Sequence, residues 1–281
     1  MNREMPDNLL TIVIPVKNEE KNLSACLENV REFGHVVVVD SGSTDATRRI
    51  AADFGREVVD FHWDGRFPKK RNWVLRNYRF QTPWVMFLDA DERLTPPFVD
   101  ELAATLPRTE HDAFVCYYDN WFMDRMLRHG DVMRKTAVLR VGAGEYERIE
   151  ENNWSQLDME IHEHLQVRGT IGEIMAHLEH HDKRSLESYY AKHEQYAAWE
   201  ANRYRALMGR DGKDRAMVPL TRRQRIKYGL ITHWWFGLAY FCASYFLKLG
   251  FLDGYPGFVF ARGKMRYFRN IRRLIRAAQS A

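Results

Sequence analysis

Cysteine is scarce in this sequence. Cys26, Cys116 and Cys242 are the only three. They lie far apart, with neither a zinc-ligand spacing nor a disulfide framework, and read as small buried hydrophobes of a reducing compartment. No Gly-x-Gly-x-x-Gly follows the first apolar segment, which argues against a dinucleotide-dependent dehydrogenase. No cleavable leader is read either. Leu9–Val16 is a short apolar run without a small-residue cleavage site after it, so the N-terminal part is expected in the cytoplasm. Long apolar runs are also lacking: the uncharged stretch Leu230–Leu247 would only just reach across a bilayer core at ~1.5 Å per residue. Acid is nearly absent from the C-terminus. Between Arg222 and Arg276 the many basic residues meet one acid, Asp253, which implies an anionic partner surface, membrane or nucleic acid.

What is present is a globular chain of 281 residues, 45% hydrophobic and 28% charged, with a net charge of +4. That length suits one large domain, or one domain with an appendage. Strand-like and helix-like segments alternate from the start. Leu9–Pro15 reads as a buried strand, and Leu23, Leu27 and Val30 as the inner face of a helix closed by Gly34. His35–Val39 reads as a second strand ending at Asp40. Ser43 is expected to cap a helix through Ile50 and Phe54. Val58–Phe61, a helix over Lys70–Asn77 and the apolar run Trp84–Leu88 follow. Such repeats predict a parallel sheet covered on both faces.

The sharpest feature is where that last run stops, at Asp89, Asp91 and Glu92. Carboxylates at the carboxyl end of a parallel strand lie where open α/β sheets bind ligands. Two of them at i, i+2 can share a magnesium- or manganese-type ion whose other ligands are phosphate and water. A solvated acidic turn is the plain alternative. Asp40 has two readings as well: a hydrogen-bond acceptor for a nucleotide, or a turn residue bonded to its own backbone.

Three segments decide between these readings. Thr11-Ile-Val-Ile-Pro-Val-Lys-Asn-Glu-Glu20, Val38-Val-Asp-Ser-Gly-Ser-Thr-Asp45 and Phe87-Leu-Asp-Ala-Asp-Glu92 resemble, in order and spacing, the signature of the family 2 inverting glycosyltransferases. The resemblance implies an α/β GT-A fold, a Rossmann-like nucleotide-binding mixed sheet with helices on both faces. It also implies a UDP-sugar donor and a divalent metal, Mg2+ or Mn2+. Carried over residue by residue, Pro15, Asn18 and Glu19 line the nucleotide pocket and Asp40 reads the uracil or ribose side. Asp89 lies at the ribose or metal, and Asp91 is the metal ligand proper. Arg71, in Lys69-Lys70-Arg71-Asn72, touches the diphosphate or base on this reading, or is an ordinary helix-surface charge on the alternative.

Displacement at a sugar carbon needs a general base for the acceptor hydroxyl. After strands expected at Ala113–Tyr118 and Thr136–Val141, and a polar loop over Gly142–Leu157, the segment Glu160-Ile-His-Glu-His-Leu165 is similar to the position where a lipopolysaccharide-core branch of the family places its base. Glu163 is therefore the expected catalytic residue, Glu160 its reserve and His162 its support. Of the histidines gathered here, whose spacing matches no closed zinc site, the resemblance points to His180 as a further ligand of the donor metal.

A helix over Ser185–Leu207 and a polar break at Gly209–Gly212 divide the chain into a GT-A domain, 1–208, and a basic, aromatic helical region, 209–281. Leu230–Leu247 is rich in aromatics, as membrane interfaces are, and is read as lying in-plane or shallowly inserted. Beyond it, Phe260, Tyr267, Phe268, Ile271 and Ile275 share one helical face and arginines another, the pattern of a helix bound to anionic lipid. No nucleic-acid motif accompanies the charge. Leu249–Phe258, a glycine-rich turn from composition, resembles the C-terminal segment of the lipopolysaccharide core β-1,4-glucosyltransferases. The expected enzyme works at the cytoplasmic face of the inner membrane as a peripheral or monotopic protein, and transfers a hexose, glucose, to a lipid-anchored saccharide. A polyprenyl-phosphate or polyprenyl-linked acceptor is the alternative substrate, and a non-catalytic saccharide-binding protein the alternative class.

Overall fold

The computed structural model describes residues 6–149, 157–158, 164–182, 185–208, 220 and 222–279. The chain forms two compact units, Met1–Trp121 with Val132–Lys183, and Phe122–Asp131 with Arg184–Ala281. The units thus part at Lys183–Arg184, and Phe122–Asp131 joins the second unit. The polar break at Gly209–Gly212 lies outside the described residues.

In the first unit, strands and helices alternate as β1 (Leu10–Val16), α1 (Leu23–Asn29), β2 (His35–Asp40), α2 (Thr47–Asp53), β3 (Glu57–Asp60), α3 (Lys70–Asn77) and β4 (Trp84–Phe87). The two-residue β5 (Glu92–Arg93), α4 (Pro96–Thr105), β6 (Ala113–Phe122), β7 (Arg125–Leu127), β8 (Met133–Arg140), β9 (Gly144–Tyr146), β10 (Leu165–Val167) and β11 (Ile171–Asp182) follow. β6 ends, and β7 lies, in the segment that belongs to the second unit. The sheet order is β3-β2-β1-β4-β8-β6-β11-β5. β3, β2, β1 and β4 are parallel, and β8 turns antiparallel against both β4 and β6. The sheet is mixed, as expected.

Period-two alternation explains its two covered faces. Ile12 and Ile14 of β1 join a core with Leu23 and Leu27 of α1 and Phe98 and Leu102 of α4. Val13 joins a second core with Val37, Phe87 and Val74 of α3. β1 is buried at all seven positions, which is why its sequence reads as one apolar run rather than an alternating one.

Two local expectations fail here. Ser43 does not cap α2, which begins at Thr47 after Ala46; its N–H and hydroxyl are bonded instead to the Asp40 carboxylate. α1 ends at Asn29, short of Gly34.

In the second unit, α5 (Leu186–Met208), α6 (Arg222–Leu230), α7 (Phe236–Cys242), a π-turn over Ala243–Leu247, a 3-10 turn over Gly250–Asp253 and α8 (Gly254–Gln279) follow one another. Leu249–Phe258 is thus helical over most of its length rather than a loop. Leu230–Leu247 is broken into three pieces. Among the described residues no helix is long and apolar enough to cross a membrane.

The apolar face of α8 does not lie free for lipid. Tyr267, Phe268, Ile271 and Ile275 are buried in one core with Ala197 and Ala201 of α5 and Ile231. Amphipathic patterning is satisfied by a protein partner, the commoner fate of such a stripe. Gly237 allows α7 to approach closely, since a Cβ there would stand 3.0 Å from the Met265 carbonyl oxygen of α8. Asp253, the lone acid of the basic tail, is buried. It accepts hydrogen bonds from the backbone N–H groups of Arg128 (3.1 Å) and His129 (2.9 Å).

Cys26 and Cys116 are buried as expected, and burial pushes each thiol up to about 12. Cys242 is exposed, contrary to expectation. Only the thiolate reacts, so a native chain should release one equivalent from Ellman's reagent, assigned to Cys242, and the other two only after denaturation. Rapid labelling of Cys26 or Cys116 in the native protein would show that their cores open.

Candidate active site

The carboxyl ends of β1, β2 and β4 lie side by side, with Val16 opposite Asp40 and Val13 opposite Phe87. The loops leaving those ends carry the residues singled out in the sequence. Pro15 is buried within β1. Asn18 adopts a left-handed backbone, φ 56°, one of the few residue types besides glycine that does so at little cost. Its side-chain oxygen accepts from the Thr44 N–H at 2.8 Å, and its own N–H donates to Ser43 Oγ at 2.9 Å. The Glu19 N–H donates to Thr47 Oγ1 at 2.8 Å. The loops after β1 and β2 are therefore laced together.

Asp40 is the anchor of that lacing. Its side chain is fully buried, and it accepts from the Ser43 N–H and hydroxyl and from Arg48 at 2.9 Å. The turn reading of Asp40 is observed. Its place beside the loops also keeps it with the other candidates.

A network of charges fills the space behind the Asp-x-Asp turn. Arg71 donates to Asp89 Oδ1 at 2.6 Å, and Lys135 to Asp89 Oδ2 at 2.7 Å. Lys135 also stands 2.7 Å from Glu92 Oε1, on a carboxylate with no exposed side chain. The other Glu92 oxygen accepts from the Asp89 N–H at 3.0 Å, so Glu92 ties off the turn. Burial alone would raise the Asp89 pKa, but Lys135 and Arg71 hold it well below the carboxylate range. Burial raises Glu92 to about 7 against the pull of Lys135. Lys135 is raised in turn, since Asp89 and Glu92 outweigh its own desolvation.

Arg71 is not a helix-surface charge. It is buried under the ring faces of Tyr146 and Phe87, 5.4 and 5.9 Å from their centroids, a cation–π arrangement that suits guanidinium. Its neighbour Lys70 is buried too. It donates to the Val16 carbonyl at 2.8 Å and faces Asp158 at 3.5 Å. Desolvation lowers its pKa.

Asp91 projects differently. His180 of β11 reaches it, Nε2 to Oδ2 3.5 Å, because β11 pairs with β5 in a register that sets His180 opposite Glu92. The His180 Nδ1 lies 3.1 Å from Asn120 Oδ1, and the next residue's N–H donates to the Asp91 carbonyl at 2.7 Å. Burial would lower the His180 pKa, but Asp91 raises it. A carboxylate oxygen and an imidazole nitrogen facing each other, with the Asn120 amide bonded to the far nitrogen of the imidazole, are a donor set that fits Mg2+ or Mn2+ completed by phosphate and water. Among the described residues no cluster of three or more His, Cys, Asp or Glu offers a metal site, so substrate and solvent would supply the remaining positions. His177 stacks on Tyr117 and His181 on Trp121.

The structure thus brings Asp89, Asp91, Arg71 and His180 together, with Asn18 and Glu19 on the neighbouring loop and Asp40 at the end of β2. Glu163, Glu160 and His162 lie outside the described residues. Lys135, the buried role of Glu92 and the Lys70–Asp158 pair went unread. Lys135 reaches Asp89 across 46 residues of sequence, and no local spacing signals such a pair.

Residues 11–157 match the Glycosyl transferase family 2 domain. The chain belongs to that family. Its mixed sheet is consistent with the GT-A fold. It is similar to the lipopolysaccharide core biosynthesis glycosyltransferase LpsC of Rhizobium meliloti, 26% identical over 186 residues, 60% of this chain and 61% of LpsC. It is also similar to an uncharacterized glycosyltransferase of Rickettsia conorii, 30% identical over 118 residues, 42% of this chain and 40% of the relative. The matches therefore span about two fifths to three fifths of these relatives. Among solved structures, glucosyl-3-phosphoglycerate synthase from Mycobacterium tuberculosis, in complex with Mn2+, UDP and phosphoglyceric acid, aligns with a TM-score of 0.42 at 15% identity. That alignment covers 69% of this chain and 78% of the other.

The charge network makes a stability test. Lys135→Met leaves the buried Glu92 without its cation, and should cost about 3–5 kcal/mol in urea unfolding at pH 9, where Glu92, raised to about 7, is ionised in the wild type. The loss should shrink at pH 5, where Glu92 takes a proton and ceases to be a buried charge. Lys135→Met with Glu92→Gln should recover much of it. An equal loss at both pH values would mean that Lys135 acts through packing alone.

Proposed function

We propose that this protein is an inverting glycosyltransferase that transfers a hexose, glucose, from a UDP-sugar to a lipid-anchored saccharide, the inner core of lipopolysaccharide. The observation that carries the reading is the Asp89–Asp91 turn at the carboxyl end of β4, with one carboxylate locked between two cations and the other facing His180. The two aspartates are thereby given different work. Asp89, held ionised by Arg71 and Lys135, shapes the turn and the ribose side. Asp91 and His180 would hold the divalent ion. When bound, that ion neutralises the negative charge gathering on the departing diphosphate.

The protein's own groups do the rest. Pro15, Asn18 and Glu19 form the wall of the nucleotide pocket, and Asp40 braces the loop on its uracil or ribose side. Arg71, one hydrogen bond from Asp89, stands where diphosphate charge would be sensed. Glu163 takes the proton from the attacking acceptor hydroxyl, on the face opposite the leaving group. The similarity to LpsC supports an acceptor of the lipopolysaccharide-core class. A lipid-anchored acceptor places the work at the cytoplasmic face of the inner membrane, with the protein peripheral or monotopic.

Donor binding and turnover test the assignments. UDP-glucose, UDP-galactose and UDP-N-acetylglucosamine are compared with and without Mn2+. In Asp91→Ala, metal-dependent UDP affinity should fall about tenfold or more. Glu163→Gln should bind UDP-sugar normally and turn over about 10²–10⁴-fold more slowly. The preferred donor names the sugar. Unchanged Mn2+-dependent UDP binding in Asp91→Ala would remove Asp91 from the metal site.

A further inference from the structure

With the apolar face of α8 spent on α5, the unspent apolar surface of the second unit lies elsewhere. It starts at Trp234, 72% exposed, and continues along α7 and the π-turn through Leu238, Cys242 and Phe246 at helical i, i+4 spacing. Leu247, 82% exposed, and Leu252, 53% exposed, carry it into the following 3-10 turn. Large aliphatic side chains exposed in sequence succession are rare on a surface that meets only water.

This ridge begins at a basic groove. Trp234 and Leu238 line a cavity of about 960 Å³ together with Arg262, Arg266, Arg269 and Arg273 of α8. These arginines recur at i, i+4, i+7 and i+11, one face of a helix. Arg266 is paired with Glu194 at 2.7 Å. Arg262, Arg269 and Arg273 have no ion-pair or hydrogen-bond partner among the described residues. Three unneutralised guanidinium groups around a cavity roomy enough to admit lipid headgroups, beside an apolar ridge, match one kind of surface: phosphate at the level of the arginines and hydrocarbon at the level of the leucines.

We propose that this groove and ridge form a docking surface for an anionic bilayer, Arg262, Arg269 and Arg273 taking lipid phosphates while Leu238, Phe246, Leu247 and Leu252 enter the acyl boundary. The inference deepens the membrane part of the proposed function and is independent of the sugar chemistry. It also moves the contact from the apolar face of α8, where patterning pointed, to α7 and the turns after it. Duplex nucleic acid would satisfy the arginines but offers nothing to a ridge of leucines.

Vesicle flotation of the full chain decides it. The probes are phosphatidylcholine vesicles, the same vesicles with about one third phosphatidylglycerol, soluble glycerol phosphate and a DNA duplex. The wild type should bind the anionic vesicles, with a blue shift of tryptophan fluorescence. The triple substitution Arg262→Gln, Arg269→Gln, Arg273→Gln should weaken that binding about a hundredfold, and the corresponding lysine triple should retain most of it. Leu247→Ser with Leu252→Ser should weaken it about tenfold or more while leaving the arginines in place. Circular dichroism and UDP binding should be those of the wild type in every variant. Unchanged vesicle binding in both the glutamine triple and the leucine double overturns the proposal. So does saturation by glycerol phosphate or DNA without preference for vesicles. Loss of UDP binding alone would strike the donor site and leave this surface standing.

Discussion

The pairing of Asp89 with Arg71 and Lys135 is the constraint on which the candidate site rests. Three carboxylates crowd into four residues at the end of β4, and like charges so close oppose one another in a buried setting. Two cations drawn from different elements, Arg71 from α3 and Lys135 from β8, neutralise Asp89 and Glu92 and leave Asp91 to face His180. The sheet topology follows the same need. Antiparallel β8 beside β4 delivers Lys135, and β11 beside β5 delivers His180. A purely parallel sheet, carried on by further crossover helices, would not set those two strands so directly over the turn.

The fold's first half was legible because its signals are local. Buried strands show as apolar runs, helices as three-four spacing, and the strand ends as abrupt carboxylates. Asp89, Asp91 and Asp40 were readable for that reason. The roles of Asp40 and Arg71 were less so, since each is defined by distant partners: Arg48 and Ser43 close over one, and the edge-to-face pair Phe87–Tyr146 lies against the other. Ser43 misled as a helix cap because the same hydroxyl that can bond a helix N–H can bond a carboxylate three residues back. Lys135 and Asp158 carried no signal at all, for a single charge in a strand or loop reads alike whether it is solvated or buried against a partner.

The C-terminal half reversed the usual logic of amphipathic patterning. A helix with arginine on one face and aromatics on the other reads as a lipid binder only if nothing else covers the aromatics. Here α5 does. Sequence patterning shows that a face is apolar and does not show what meets it. The broken segment Phe236–Asp253, irregular and hard to assign, proved to hold the exposed apolar side chains instead.

The Asp253 clasp on Arg128 and His129 has a consequence for how the chain is made. The second unit joins Phe122–Asp131 to residues more than fifty positions later, and the acid that fastens them is near the far end. No single cut of the gene yields both units intact. During synthesis, the strand end after Trp121 emerges long before its partner, and the unit can close only when α8 has left the ribosome. Contacts of such sequence separation carry a loop-closure cost and form late. The first unit can therefore gather its core while the second waits, so ribosome-bound chains would hold a nearly complete mixed sheet with an unfinished helical unit.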